Sequence, residues 1–235
     1  MDDGRGELEG GCRSSLCRFI YARTIMARVV VEPRPVLDVA ALLATYGVSP
    51  VLTEEHARMM RRLVAAAMEA PEGLRSTSVF TAIASIPGLG LPAATLPLFL
   101  LEPRHYPLYD EEYARGLRVL LEAAGGEATP PQPREIREAA RAKNQPRVAS
   151  LYREAARAHM EALRLYAVLL EAQGYPASSG PLVGIALDAL ARTIARGRVS
   201  REEIEEALAA TREMRELQRA LRFAAGARVA EPPGR

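Results

Sequence analysis

The chain has no tryptophan, only four phenylalanines and only two cysteines in 235 residues. With alanine, leucine, arginine and glutamate dominant, that composition favours helix over sheet. Cys12 and Cys17 are too few for a disulfide framework, an iron–sulfur cluster or a zinc site without outside ligands. His56, His105 and His159 fall in separate segments with no ligand spacing, so no metal site is expected. No charge-free apolar run approaches the roughly 18 residues of a membrane span. Arg13, Arg18 and Arg23 interrupt the N-terminal stretch, which lacks a signal-peptide core. These absences predict a cytoplasmic chain with no membrane partner. A dominant charge is also missing: the net charge is +2, so any basic surface must be local. Lys143 is the single lysine among 31 basic residues. A bias so uniform reads as genome composition, even though arginine grips phosphate better than lysine.

What remains is 49% apolar and 26% charged, the balance of a globular chain long enough to bury a core. Residues 1–25 lack periodicity and read as a disordered or mis-annotated extension, with Met26 as an alternative start. Val29-Val30-Val31 reads as a short strand ended by Pro33 and Pro35. Val39 to Tyr46 reads as a helix closed by Gly47. Thr53 is the N-cap of a helix carrying Met59, Met60, Leu63, Val64, Ala67 and Met68 on one apolar face. Ser78–Ile86 and Pro92–Leu101 form a helix pair around a turn, with Pro97 placed to kink the second helix. Asp110 caps the next helix, with Glu111 and Glu112 in its first turn and Gly125-Gly126 at its end. Pro130, Pro131 and Pro133 mark a linker over residues 126–133. Beyond it lie a long amphipathic helix from Arg147 to Gln173, an apolar helix over Pro181–Ala195, and a helix opened by a Ser200–Glu203 capping box. Ile204, Leu208, Thr211, Met214, Leu217 and Leu221 follow on that last helix at near-heptad spacing. The expected fold class is all-α: a region over 26–126 built on a helix-hairpin-helix, followed by an antiparallel bundle over 134–228 that packs on it.

The chemistry-bearing stretch is Ile86-Pro87-Gly88-Leu89-Gly90-Leu91-Pro92-Ala93, followed by Tyr106-Pro107-Leu108-Tyr109-Asp110. Gly88 and Gly90 let the backbone turn tightly and approach a ligand. The turn opens a helix whose free N–H groups and dipole suit a phosphate. The same residues also suit a plain inter-helix turn, and Asp110 a plain N-cap. A second feature is basic: Arg134, Arg137, Arg141, Lys143, Arg147, Arg153 and Arg157. That run either follows a nucleic-acid backbone or is a solvated face, and Asn144-Gln145-Pro146 splits it between two helices.

Residues from about Val79 to Leu121 resemble the core of the helix-hairpin-helix DNA glycosylase superfamily, which includes endonuclease III. The likeness lies in Ile86-Pro87-Gly88-Leu89-Gly90, the helix from Pro92, the Pro107-Leu108-Tyr109-Asp110 turn, and Arg115. It implies duplex DNA as partner, held through backbone amides of Gly88, Gly90 and Leu91, within a contact segment that extends over Leu89, Pro92 and Ala93. It also implies a monovalent cation on the carbonyls of Ala84, Ile86 and Leu89; no other cofactor is expected, because two cysteines are too few for an iron–sulfur cluster. Asp110 takes the place of the family's catalytic carboxylate, which stabilises charge developing on the sugar, and Arg115 that of a residue bracing the fold. Pro92 stands where lyase members carry the Schiff-base lysine, so only hydrolysis of the glycosidic bond would remain. The alternative expectation is a helical scaffold or partner-binding protein in which the hairpin is only a turn.

Overall fold

Helix α1 (Ser15–Val31) turns Phe19, Ala22, Ile25, Met26 and Val29 inward at helical spacing, and all five are buried. This corrects two expectations. Residues 15–25 are not a loose extension, because their apolar stripe docks on the core. Val29 to Val31 are helical rather than extended, because burial of Val29 within that stripe overrides the β preference of valine. Cys17 on α1 is disulfide-bonded. Cys12, the chain's other cysteine, lies outside the described residues. The computed structural model describes residues 15–31, 35–47, 53–69, 84, 90–172, 181–213 and 216.

Every regular element among those residues is helical, with no strand. Helix α2 (Pro35–Ala44) begins on a proline, which suits a first helical position, and the chain leaves it at Gly47. In α3 (Glu54–Glu69) the His56 amide donates to Thr53 Oγ1 at 3.2 Å, the expected cap. Its buried face is narrower than the methionine pattern suggests. Ala57, Met60 and Val64 are buried, but Met59 is 42% and Met68 40% exposed.

Helix α4 (Gly90–Leu101) is buried along nearly its whole length, and it passes through Pro97 without ending. Thr95 offers a hydroxyl inside this apolar helix. It donates to the Leu91 carbonyl at 3.1 Å and accepts from the Tyr109 amide at 3.0 Å. That second bond fastens the segment Tyr106–Tyr109 to α4. Phe99 meets Phe19 of α1 and Tyr46 edge-on, with ring centroids 5.6 and 6.0 Å apart.

Helix α5 (Glu111–Ala124) starts at Asp110 and ends at Gly125. Residues 126–133 do not behave as a free linker. The Glu161 carboxylate accepts from the amides of Glu127 and Ala128, Tyr109 donates its hydroxyl to the Pro131 carbonyl, and Arg118 donates to the Pro130 carbonyl. Helix α6 (Pro133–Arg141) follows. Asn144, the only asparagine, then caps α7 (Gln145–Ala172), accepting from the Arg147 amide at 3.1 Å. Helix α8 (Pro181–Ala195) packs most extensively on α5, and Gly116 of α5 lies directly under the Ala191 carbonyl. Helix α9 (201–213) opens with the expected box: the Glu203 amide donates to Ser200 Oγ, and the Ser200 amide to Glu203 Oε2. Met214, Leu217 and Leu221 of the near-heptad pattern lie outside the described residues. Buried residues from α1 to α9 form one continuous apolar cluster, so 126–133 does not divide two cores.

A buried polar clasp joins α5 to α7. Tyr113 Oη lies 2.6 Å from His159 Nδ1, and His159 Nε2 lies 3.0 Å from the Pro103 carbonyl. A carbonyl can only accept, so Nε2 carries the proton and Nδ1 accepts from the tyrosine. Burial pushes His159 down to about 4, against the opposing pull of its bonds to the backbone at Pro103 and Arg104. The imidazole is therefore neutral in the fold and protonated in the unfolded chain below about pH 6.5. Its contribution to stability is complete above that pH and is lost as pH falls towards 4. The loss should reach about 3 kcal/mol, the value of the full shift. Urea unfolding at pH 7.5 and 4.5 should show a steeper acid loss for the wild type than for His159→Gln. Parallel losses would remove His159 as the cause.

Candidate functional site

Asp110 follows a run of buried side chains, Tyr106, Leu108 and Tyr109, and comes to the surface where α5 begins. Both of its oxygens are engaged. Oδ1 accepts from the Tyr113 amide at 2.8 Å, the N-cap bond. Oδ2 accepts from Arg192 Nη1 at 2.7 Å, across 82 residues of sequence.

Arg192 joins several groups. Its Nε donates to both oxygens of Asp188, one turn earlier on α8, at 3.2 and 3.0 Å. Its Nη2 donates to the Leu108 carbonyl at 3.2 Å, and Nη1 also reaches Glu112 at 3.4 Å. Arg196 grips Glu112 with two further bonds of 2.6 and 3.2 Å. The side chains of Asp110, Arg192 and Asp188 are 23%, 15% and 10% exposed. Burial pushes the Asp188 carboxyl up, while Arg192 pulls it down. Burial also works against the charge of Arg192, but Asp188 and Asp110 outweigh it and hold its pKa above the ordinary arginine value. The hydrogen bond from Arg196 holds Glu112 below the usual carboxylate range.

Three carboxylates thus share two guanidiniums. A cationic sugar at Asp110 would have to compete with Arg192 at hydrogen-bond distance. An open cavity of about 350 Å³ is lined by Leu16, Phe19, Ile20, Arg23 and Leu182 among others. Its walls belong to α1 and α8 and do not include Asp110.

The sequence-derived hairpin is only partly within view. Ile86, Gly88 and Leu89 lie outside the described residues, which leaves Ala84 alone of the three carbonyls proposed for a cation. Gly90 is exposed and has φ +69°, the left-handed region that glycine occupies without strain. Leu91 and Ala93, expected to touch DNA, are 3% and 0% exposed. The helix they open is apolar on every side and sinks into the core, and their side chains anchor it there. Gly90 and the half-buried Pro92 are what the described part of the hairpin offers to a partner.

Arg115 donates to the Ala195 carbonyl at 2.7 Å, which closes the C-terminal end of α8. His105 is exposed beside Glu102 at 3.6 Å, and His159 is spent in the buried clasp. Among the described residues no group of three acidic, histidine or cysteine side chains is placed to hold a metal ion. The basic run is divided as its Asn144-Gln145-Pro146 break implies. Arg134, Arg137 and Arg147 pair with Glu138, Glu111 and Glu154, whereas Arg141, Lys143, Arg153 and Arg157 are exposed with no ion pair among the described residues.

The sequence reading did not single out Arg192 or Asp188. One signal was available: Asp188 and Arg192 are spaced i, i+4 within an otherwise apolar helix, and charges so placed must find partners. Among the described residues no helix is long and apolar enough to cross a membrane. Compared with known protein families, curated proteins and solved structures, the chain shows no match.

Proposed function

We propose that this chain binds duplex DNA by its sugar–phosphate backbone, through the hairpin around Gly88–Pro92, as a relative of the helix-hairpin-helix glycosylases. The observation that carries the reading is Gly90: an exposed, left-handed glycine at the mouth of a buried apolar helix. Leu91 and Ala93 are anchored inside, which leaves Gly90 exposed at the start of the helix. Backbone amides at a helix start favour an anion and read no sequence. In this reading Asp110 caps α5 and balances Arg192, and binding does not require base excision.

Gly90→Asp tests the contact. Aspartate tolerates left-handed backbone better than most residues, and a Cβ here would meet only Pro92 Cδ, at 3.9 Å. The fold should persist while duplex affinity at low salt falls about 10–100-fold, the scale of one lost charge-assisted hydrogen bond. Unchanged affinity, or no duplex binding by the wild type, would remove the reading. A dimer that survives high salt without binding DNA would favour the scaffold instead. Release of damaged bases by the wild type but not by Asp110→Asn would restore a catalytic role for the carboxylate.

A further inference from the structure

We propose that the outer face of α7, through Arg153, Arg157 and Arg164, is a track for the phosphates of a polynucleotide. The inference rests on the backbone-binding reading above and adds a second contact surface to it. At 3.6 residues per turn the three arginines lie within about 40° of one another around the helix, over about 16 Å of its length. All three are exposed, and the opposite face, with Leu151, Ala155, Ala158 and Ala162, is buried.

Three exposed arginines elsewhere pair within one turn: Arg58 with Glu54, Arg134 with Glu138 and Arg201 with Glu205. The three on α7 do not. Glu161 stands four residues after Arg157 and three before Arg164, where a pair would form. Its carboxylate is turned instead to the amides of Glu127 and Ala128, at 2.8 and 3.2 Å. Glu154 is held by Ser150 at 3.1 Å and by Arg147 at 3.9 Å. The stripe therefore has no ion pair among the described residues, although two acids flank it. Three unpaired guanidiniums in a row offer bidentate donors to successive phosphates.

A membrane surface fits less well. A helix lying on a bilayer buries an apolar face in lipid, and the apolar face of α7 is already committed to the protein core. The stripe also differs from the basic run read in sequence. Arg164 joins it, while Arg134, Arg137 and Arg147 drop out because acids already hold them.

The experiment compares the full-length wild type with the Arg153→Gln/Arg157→Gln/Arg164→Gln variant. Both are titrated with a labelled 20-base-pair duplex over a range of salt, and with phosphatidylserine vesicles. Each released phosphate contact should reduce the salt slope by about 0.9, so the variant should lose about 2–3 of slope. Arg134→Gln, which removes a paired arginine, should change the slope by less than about 1. Equal slopes for wild type and triple variant overturn the track. If Gly90→Asp still weakens binding in that case, the hairpin reading stands without it. Loss of vesicle binding with unchanged duplex binding also overturns the proposal and gives the face to a membrane. No duplex binding by the wild type removes both readings together.

Discussion

Replacing Arg192 with methionine should destabilise the protein by about 3–5 kcal/mol, the range seen when one partner of a buried ion pair is removed. Methionine fills much of the same volume, so the effect reads charge rather than a cavity. The variant leaves Asp188 buried with no counter-ion among the described residues, and Asp110 and Glu112 lose the same guanidinium. Asp188 is already pushed up by burial, and without Arg192 it rises further. A group whose folded pKa exceeds its unfolded value loses stability as pH rises between the two values. The defect should accordingly be largest at pH 7 and shrink towards pH 5. Adding Asp188→Asn to Arg192→Met should recover a large part of it, because the orphaned charge is then gone. Urea unfolding of both single variants and the double variant at the two pH values measures this directly. A single variant within about 1 kcal/mol of wild type at pH 7 would mean that the cluster is no more than a surface ion pair.

The second large effect is expected from Gly116→Ala. A Cβ on Gly116 would sit 1.7 Å from the Ala191 carbonyl oxygen and 2.5 Å from its carbon. Both obstacles are backbone, so no side-chain rotation relieves them, and α5 and α8 must move apart. Alanine itself favours helix by about 1 kcal/mol over glycine, which offsets part of the strain. The net loss should still be at least about 3 kcal/mol, at or above the upper end of ordinary overpacking. For a chain of this size that corresponds to a fall in Tm of about 6–12 °C. The displacement would also strain the Arg192–Asp110 bond, which crosses the same interface. Gly125→Ala is the control. It has open space around it but left-handed backbone, so it should lose only about 1 kcal/mol. Equal melting of the two variants would mean that α5 and α8 are not in this close contact.

Helix boundaries were the most legible part of this chain. Thr53, Asp110, Gly125 and the Ser200–Glu203 pair act on groups within a few residues of themselves, and each caps its helix as expected. The misreadings share a different cause. Val29 to Val31 carry strand propensity, residues 15–25 carry little obvious period, and the prolines of 126–133 suggest freedom. Each is settled by burial or hydrogen bonds against distant parts of the chain. Of the candidate site, the cap role of Asp110 was readable because it is local. Its ion pair was not, because 82 residues separate the partners.

From its residues alone, this protein was determined to be helical, because capping, propensity and 3.6-residue periodicity act over one or two turns. Only the packed structure decided that Leu91 and Ala93 face inward, that Arg192 holds Asp110, and that three arginines of α7 have no ion pair among the described residues. Those outcomes depend on which surfaces meet across the core, and no short-range rule in a linear chain carries that information.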